Sequence, residues 1–261
     1  MVAVRITPLS DGELHIPAEG LLNRPLPPEF TDADGLMGVN FGGFLVQTGD
    51  RVVVIDAGIG GGAIPELPIG TFPDRLRAAG VAPEDVDTVI FTHLHFDHVG
   101  WAGLFTRAEH HAHAIDWAYW VTDANPETGP GREDFGAIPA PERLAPLADT
   151  IVLHEGERNE IVPGITLRLA PGHTPGHCIV EAGEHVLRAD AAHNPAQLLS
   201  DDYESVTDVD PQLARTTRAA LAEELAGSGA LITMTHDAGN RFGRLELVEG
   251  ARRWTYAPSI E

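Results

Sequence analysis

The chain has 261 residues, 43% of them hydrophobic, with 28 glycines and 20 prolines, which is enough apolar material to bury a large core as a single domain over residues 1–261. Its formal net charge is -22 and all 17 basic residues are arginine; so acidic a chain repels a phosphate backbone and disfavours nucleic acid as a partner, and the lack of lysine excludes Schiff-base chemistry. The lone cysteine, Cys178, rules out an internal disulfide, and with no basic-then-apolar leader and no run approaching about 18 apolar residues, a cytoplasmic protein with no membrane partner is expected.

In chain order, a first strand is expected at Val2 to Thr7, followed by a proline-rich segment from Ile16 to Phe30. Leu21, Leu22, Leu26, Phe30 and the later Met37 make that segment too apolar for a solvated linker, so it should fold over something. Asn40 to Gln47 and Arg51 to Asp56 read as a hairpin about Thr48-Gly49-Asp50. The glycine-rich loop from Asp56 to Gly62 lacks both the Gly-Lys-Ser/Thr ending of a P-loop and G-x-G-x-x-G spacing, so it reads as a turn. A helix from Phe72 to Gly80 and a strand from Asp87 to Phe91 complete a strand-helix-strand unit, the signature of a layered α/β fold.

The next residues, Thr92-His93-Leu94-His95-Phe96-Asp97-His98-Val99-Gly100, place three imidazoles and a carboxylate where that strand ends. If Thr92 to His95 continues extended, His93 and His95 face the same side and can share an ion. Asp97 and His98 fall beyond, where a turn into a helix starting near Val99 would aim them at a second point about 3.5–4 Å away, the separation found in two-metal sites. A second run, Glu109-His110-His111-Ala112-His113, lies on an expected strand leading into an aromatic helix with Trp117, Tyr119 and Trp120; its histidines read as structural. The stretch from Thr122 to Ile138, polar and rich in glycine and proline, is the segment best suited to be a mobile loop covering a site.

Further strands are expected at Thr150 to His154, Ile165 to Leu169, His177 to Val180 and His185 to Ala189. Gly172-His173-Thr174-Pro175-Gly176-His177 forms a tight turn with His173 at its tip as a ligand candidate. His177 reads as a core or supporting histidine, and Cys178 as a small hydrophobe. Asp190 follows one strand, and His236 ends another from Ala230 to Thr235, after a long helix from about Pro211 to Ala226. Ligand-type residues recurring at strand ends are themselves a sign of convergence, because sites in layered α/β folds gather at the carboxyl ends of strands.

His93-x-His95-x-Asp97-His98, Gly172 to His177, Asp190 and Thr235-His236 stand in the order found in the metallo-β-lactamase superfamily, which the chain resembles over roughly residues 40 to 240. The resemblance implies an αββα sandwich of two mixed β-sheets flanked by helices, with two divalent metal ions between the sheets. It assigns His93, His95 and His173 to one ion, Asp97, His98 and His236 to the other, Asp190 to both, and Asp56 to the support of the histidine loop. Zinc is the expected metal, with manganese, iron or cobalt as alternatives. The absent lysine and the placement of Cys178 argue against the class B β-lactamases, and His95 stands where the flavodiiron branch carries glutamate. The strand-like tail after His236 differs from the helical domain of glyoxalase II, and charge and length disfavour the nucleases. What is left is similar to the lactonase and methyl-parathion-hydrolase group. Acyl-homoserine lactonases carry tyrosine three positions after the bridging aspartate; His193 here, like the phenylalanine-glycine pair Phe242-Gly243, is similar to the methyl-parathion-hydrolase side.

The implied activity is hydrolysis of a lactone or carboxylic ester by metal-activated hydroxide, with phosphotriester cleavage as the alternative and β-lactam or thioester hydrolysis behind it. His193 is the candidate to hydrogen-bond a small-molecule substrate or its leaving group, and Asp97 the candidate proton shuttle. Apolar lining is expected from the Leu21 to Phe41 segment and from Trp101 or Trp117, and a homodimer is compatible with the sequence.

Overall fold

The computed structural model describes residues 4–61, 69–125 and 138–258. Met1 to Ala3, Gly62 of the glycine-rich loop and residues 126–137 of the expected covering loop lie outside the described residues.

Thirteen strands form two sheets among the described residues. The first holds β1 (Val4–Ile16), β2 (Met37–Thr48), β3 (Arg51–Ile55), β4 (Thr88–Ile90), β5 (Glu109–His113) and β6 (Val152–His154), in that spatial order. Its first three strands are antiparallel and the rest parallel. The second holds β7 (Arg158–Val162), β8 (Ile165–Leu169), β9 (Cys178–Ala182), β10 (His185–Leu187), β11 (Leu231–Thr233), β12 (Gly243–Val248) and β13 (Ala251–Tyr256), with only β10 and β11 parallel. The helices are α1 (Phe72–Ala78), α2 (Ala114–Trp117), α3 (Ala140–Leu144), α4 (Ala196–Leu199) and α5 (Pro211–Leu225). No helix among the described residues is long and apolar enough to cross a membrane.

Side-chain alternation explains the layering. Val53 and Ile55 of β3 point inward with Phe44, Ile90, Leu167, Val180 and Leu187 to form the core between the sheets. Val54 between them points outward and packs with Phe72 and Leu76 of α1. On the second sheet Val186 faces outward against Leu221, Ala222 and Leu225 of α5. The result is the expected αββα sandwich of two mixed sheets.

Several local expectations change. β1 extends to Ile16 instead of stopping at Thr7, with a bulge at Asp11 where its register with β2 shifts. That bulge buries the Asp11 carboxylate, which accepts from Ile59 N, Gly60 N, Phe72 N and the Trp101 indole N–H at 2.8–3.0 Å. The described part of the glycine-rich loop thus wraps an internal carboxylate, in keeping with its reading as a turn. β7 and β13 were not expected. β7 reads Arg-Asn-Glu-Ile-Val, an edge strand too polar for the apolar pattern to mark.

No helix starts at Val99. Gly100 N donates to Gly58 O at 2.7 Å and Trp101 N to Ala57 O at 2.8 Å, which ties the segment to the neighbouring loop, and only a short 3-10 turn forms at Ala102–Leu104. A Cβ at Gly100 would meet Ile59 C at 2.1 Å, which is why this position must be glycine. Trp101 and Trp117 pack into the outer core with Phe72 and Phe105 and do not join the apolar group beside the site. That group is Leu22, Met37, Val39, Phe41 and Ile59, with Leu21, Leu26, Phe96 and Tyr203 against it.

Candidate metal centre

β3 and β4 run parallel, as do β10 and β11, so Asp56, the histidine loop, Asp190 and His236 all emerge at one edge of the sandwich. Two residues at that edge hold strained, left-handed backbone: Asp56 with φ 57° and Ala189 with φ 44°. The first turns its carboxylate beneath the histidine loop, accepting from Thr92 N and Thr92 Oγ1, each at 2.8 Å, and from His98 Nδ1 at 2.9 Å. The second delivers Asp190 into the cleft. β4 stops at Ile90, so Thr92 to His95 is not extended strand as expected. The two rings meet all the same, with His93 Nε2 3.1 Å from His95 Nδ1.

The seven residues singled out by motif come together. His173 Nε2 lies 3.0 Å from His95 Nδ1 and 3.3 Å from Asp190 Oδ2, and His93 Nε2 lies 3.8 Å from the same oxygen. On the other side His98 Nε2 is 3.3 Å from Asp190 Oδ1, and His236 Nε2 is 3.1 Å from Asp190 Oδ2 and 3.5 Å from Asp97 Oδ2. His93, His95, His173 and Asp190 offer one set of donor atoms within 4.8 Å of one another, and Asp97, His98 and His236 a second. His193 joins the rim, its Nε2 3.3 Å from Asp190 Oδ2 and its ring stacked on His236 at 5.3 Å. All but His95 are buried.

Hydrogen bonding behind the rings shows what the centre is built for. His98 donates from Nδ1 to Asp56, His173 from Nδ1 to Asp208 and His236 from Nδ1 to the Asn40 carbonyl at 2.7 Å. A carboxylate or carbonyl only accepts, so each outer nitrogen carries a proton and each inner nitrogen is the one turned toward Asp190, free to give up its own proton to a metal ion. Ring nitrogens about 3 Å apart, grouped around a carboxylate, need either protons or a cation shared among them. His98 Nε2 and Asp190 Oδ1 accordingly have no hydrogen-bond partner among the described residues although both are buried. The donor set therefore fits divalent cations.

In the protein alone, protons supply the charge that the cluster requires. Burial, with the neighbouring rings, holds His93 and His95 well below the ordinary histidine value. Burial also pushes His98 and His236 down, but Asp190 and the other carboxylates outweigh it and hold both above that value. Asp190 in turn is raised by burial yet held well below the usual carboxylate range by His236, His98 and His193. In the protein alone, positive charge on imidazoles does what a cation would do.

His177 takes the supporting role expected of it: Nδ1 donates to Ala170 O and Nε2 accepts the Asp190 amide at 3.2 Å. With both nitrogens engaged, burial holds its pKa at about 3. The sequence did not reveal Asp116, which accepts from Leu94 N at 2.8 Å and Gly176 N at 2.9 Å and so clamps the two histidine loops together. Asp208 and Asn40 were missed likewise. Only their spatial neighbours mark them.

A family model described as the metallo-beta-lactamase superfamily matches residues 43–236. The chain belongs to the metallo-beta-lactamase superfamily. An N-acyl homoserine lactonase, AiiA, of Bacillus thuringiensis subsp. kurstaki is 29% identical over 216 residues, 74% of this chain and 80% of that protein. An acyl-coenzyme A thioesterase, MBLAC2, of Gallus gallus is 30% identical over 187 residues, 63% of this chain and 62% of the relative. Among solved structures, AidC, a dizinc quorum-quenching lactonase in complex with a product, superposes with a TM-score of 0.80 at 20% identity, covering 99% of this chain and 96% of that one. The hydrolase AbOPH gives 0.77 at 22% identity, covering 99% and 95%. As a member of this superfamily the protein is a metal-binding hydrolase of the same fold.

Proposed function

We propose that this metallo-beta-lactamase-fold hydrolase opens a lactone or cleaves a carboxylic ester at a dinuclear centre. One ion would be held by His93, His95 and His173, the other by Asp97, His98 and His236, with Asp190 shared. The observation that carries the reading is that His98, His173 and His236 each hold Nδ1 to an outer acceptor and turn Nε2 toward one buried carboxylate. Imidazole and carboxylate donors suit zinc, with manganese, iron or cobalt as alternatives. Bound there, such ions would acidify a water and polarise the oxygen under attack.

The chain's own residues do the rest. Phe41, whose ring lies 5.7 Å from that of His236, belongs to an apolar cluster whose partly exposed members Leu21, Leu26 and Phe96 can receive the hydrocarbon part of a substrate. His193, its Nδ1 without a partner among the described residues, hydrogen-bonds the substrate or leaving group. Asp97 at the rim, 8% exposed, takes the proton given up by the attacking water and passes it to the leaving oxygen. The likeness to lactonases favours the lactone. His193 three places after Asp190 keeps phosphotriesters as a second reading at the same atoms.

Metal analysis combined with a panel of γ- and δ-lactones, aryl esters, acyl thioesters and aryl phosphotriesters tests the proposal. Two ions per chain and highest kcat/KM on lactones or esters are expected, with turnover abolished in His93→Ala. Preference for phosphotriesters would transfer the assignment to the second reading, and full turnover in His93→Ala would remove both.

A further inference from the structure

The start of α5 is tied to the site by a carboxylate to which the proposed chemistry gives no role. Asp208 lies two residues before the helix cap Asp210, and its side chain is 0% exposed. One oxygen, Oδ1, lies 3.1 Å from His173 Nδ1. The other, Oδ2, faces Arg218 Nη2 at 3.5 Å. Arg218 is itself buried in α5 and donates from Nη1 to the Ala191 carbonyl at 3.0 Å, one residue past Asp190. The backbone doubles the connection: Val209 N donates to His173 O and Asp210 N to Gly172 O, both at 2.9 Å. Loops at 172–173 and 190–191, distant in sequence, are thus held from one point.

A carboxylate can only accept from an imidazole. Asp208 therefore keeps the His173 proton on Nδ1 and leaves the Nε2 lone pair aimed at His95 Nδ1 and Asp190 Oδ2. Its negative charge also makes Nε2 a stronger donor. Arg218 keeps the carboxylate from turning away and offsets part of the cost of burying it.

We infer that Asp208 and Arg218 are a positioning pair that sets the tautomer and donor strength of His173 and the seat of Asp190. The inference rests on the metal reading above, and its test is arranged so that the two fail differently. Zinc retention against a chromophoric chelator is measured for the full-length wild type, Asp208→Asn, Asp208→Ala and Arg218→Gln. Ring-nitrogen NMR of the metal-free proteins reports which nitrogen of His173 is protonated, and the thermal midpoint of each metal-free protein reports folding. Asp210→Ala, which removes the helix cap that accepts from Leu213 N, is the structural control.

Zinc retention is expected to fall about 10–100-fold in both Asp208 variants, less in Arg218→Gln, and not in Asp210→Ala. The near-isosteric Asp208→Asn keeps the test decisive should Asp208→Ala fail to fold. A mixed population of His173 tautomers in Asp208→Asn is the spectroscopic sign. Retention within about twofold of wild type in the Asp208 variants, or a lowered midpoint with unchanged retention, overturns the inference. A wild type that binds no zinc overturns the metal reading and takes this inference with it.

Discussion

Two histidine-rich regions lie close together in this molecule and differ in every respect that matters for chemistry. Around Asp190, outer ring nitrogens are committed to carboxylates and a carbonyl, and inner nitrogens converge on one point. Along β5, each ring finds its own partner. His110 donates to Ala102 O at 3.3 Å, and His113 donates to Gly156 O while its Nδ1 accepts from Ile115 N. His111 and His154 share a hydrogen bond of 2.9 Å. The abundance of imidazole is similar in both. What separates a binding site from structural filler is a buried anion at the focus and outer partners that fix the tautomers.

The most severe way to break the contrast is to remove the anion. Asp190→Asn should strip both ions and abolish turnover, whereas His111→Gln on β5 should keep the wild-type metal count. Equal metal loss in the two, measured by elemental analysis, would erase the distinction. Next comes the clamp. Asp116→Ala removes two hydrogen bonds that backbone N–H groups donate to a buried carboxylate, each worth roughly 1.5–3 kcal/mol, so a stability loss of about 3 kcal/mol is expected in denaturant titration. A loss under about 1 kcal/mol would mean that the loops hold their shape unaided.

These carboxylates also mark the limit of what the sequence disclosed. The metal-type residues were legible because each follows or precedes a strongly apolar strand, and strand ends bring them to one edge. Asp116 reaches amides 22 and 60 residues away, and no local pattern announces such a link. Asp208 was hidden by the neighbouring Asp210-Pro211, which reads only as a helix start. The helix expected at Val99 failed for a related reason: Gly100 is pressed against the backbone of Ile59 and Gly60 and the segment is bonded to Ala57 and Gly58, tertiary contacts that set its path over local propensity. Layering and strand order were easier, since alternation such as Val53, Val54 and Ile55 records which face is buried.

An unsatisfied group near the site does not always call for a cation. Arg188 follows β10, two residues before Asp190; it is fully buried, and its three guanidinium nitrogens have no acceptor among the described residues. Burial, with Arg218 nearby, lowers its pKa to about 9, so it is still charged at neutral pH. Arg188→Met keeps the bulk and removes the charge, and a gain of about 1–2 kcal/mol is expected. Destabilisation of that size, measured by denaturant midpoint, would show that the guanidinium has a partner that matters.

The smallest expected effect belongs to β5 and is read in pH. Burial lowers the His111 pKa to about 4, with His154 adding to the shift and Glu109 opposing it. The unfolded chain titrates near 6.5, so between about 6.5 and 4 it holds a proton that the folded chain does not. Stability must therefore fall as pH drops through that window and level off below it. The metal-centre histidines titrate as well, but they contribute equally to wild type and to a β5 variant, so a difference between the two isolates the strand. In metal-free protein, the fall in thermal midpoint from pH 7 to pH 5 should be shallower in His111→Gln than in wild type. Superimposable curves would mean that the His111–His154 pair opens and takes up its proton without loss of the fold, and the β5 histidines could then no longer be described as locked into their hydrogen bonds.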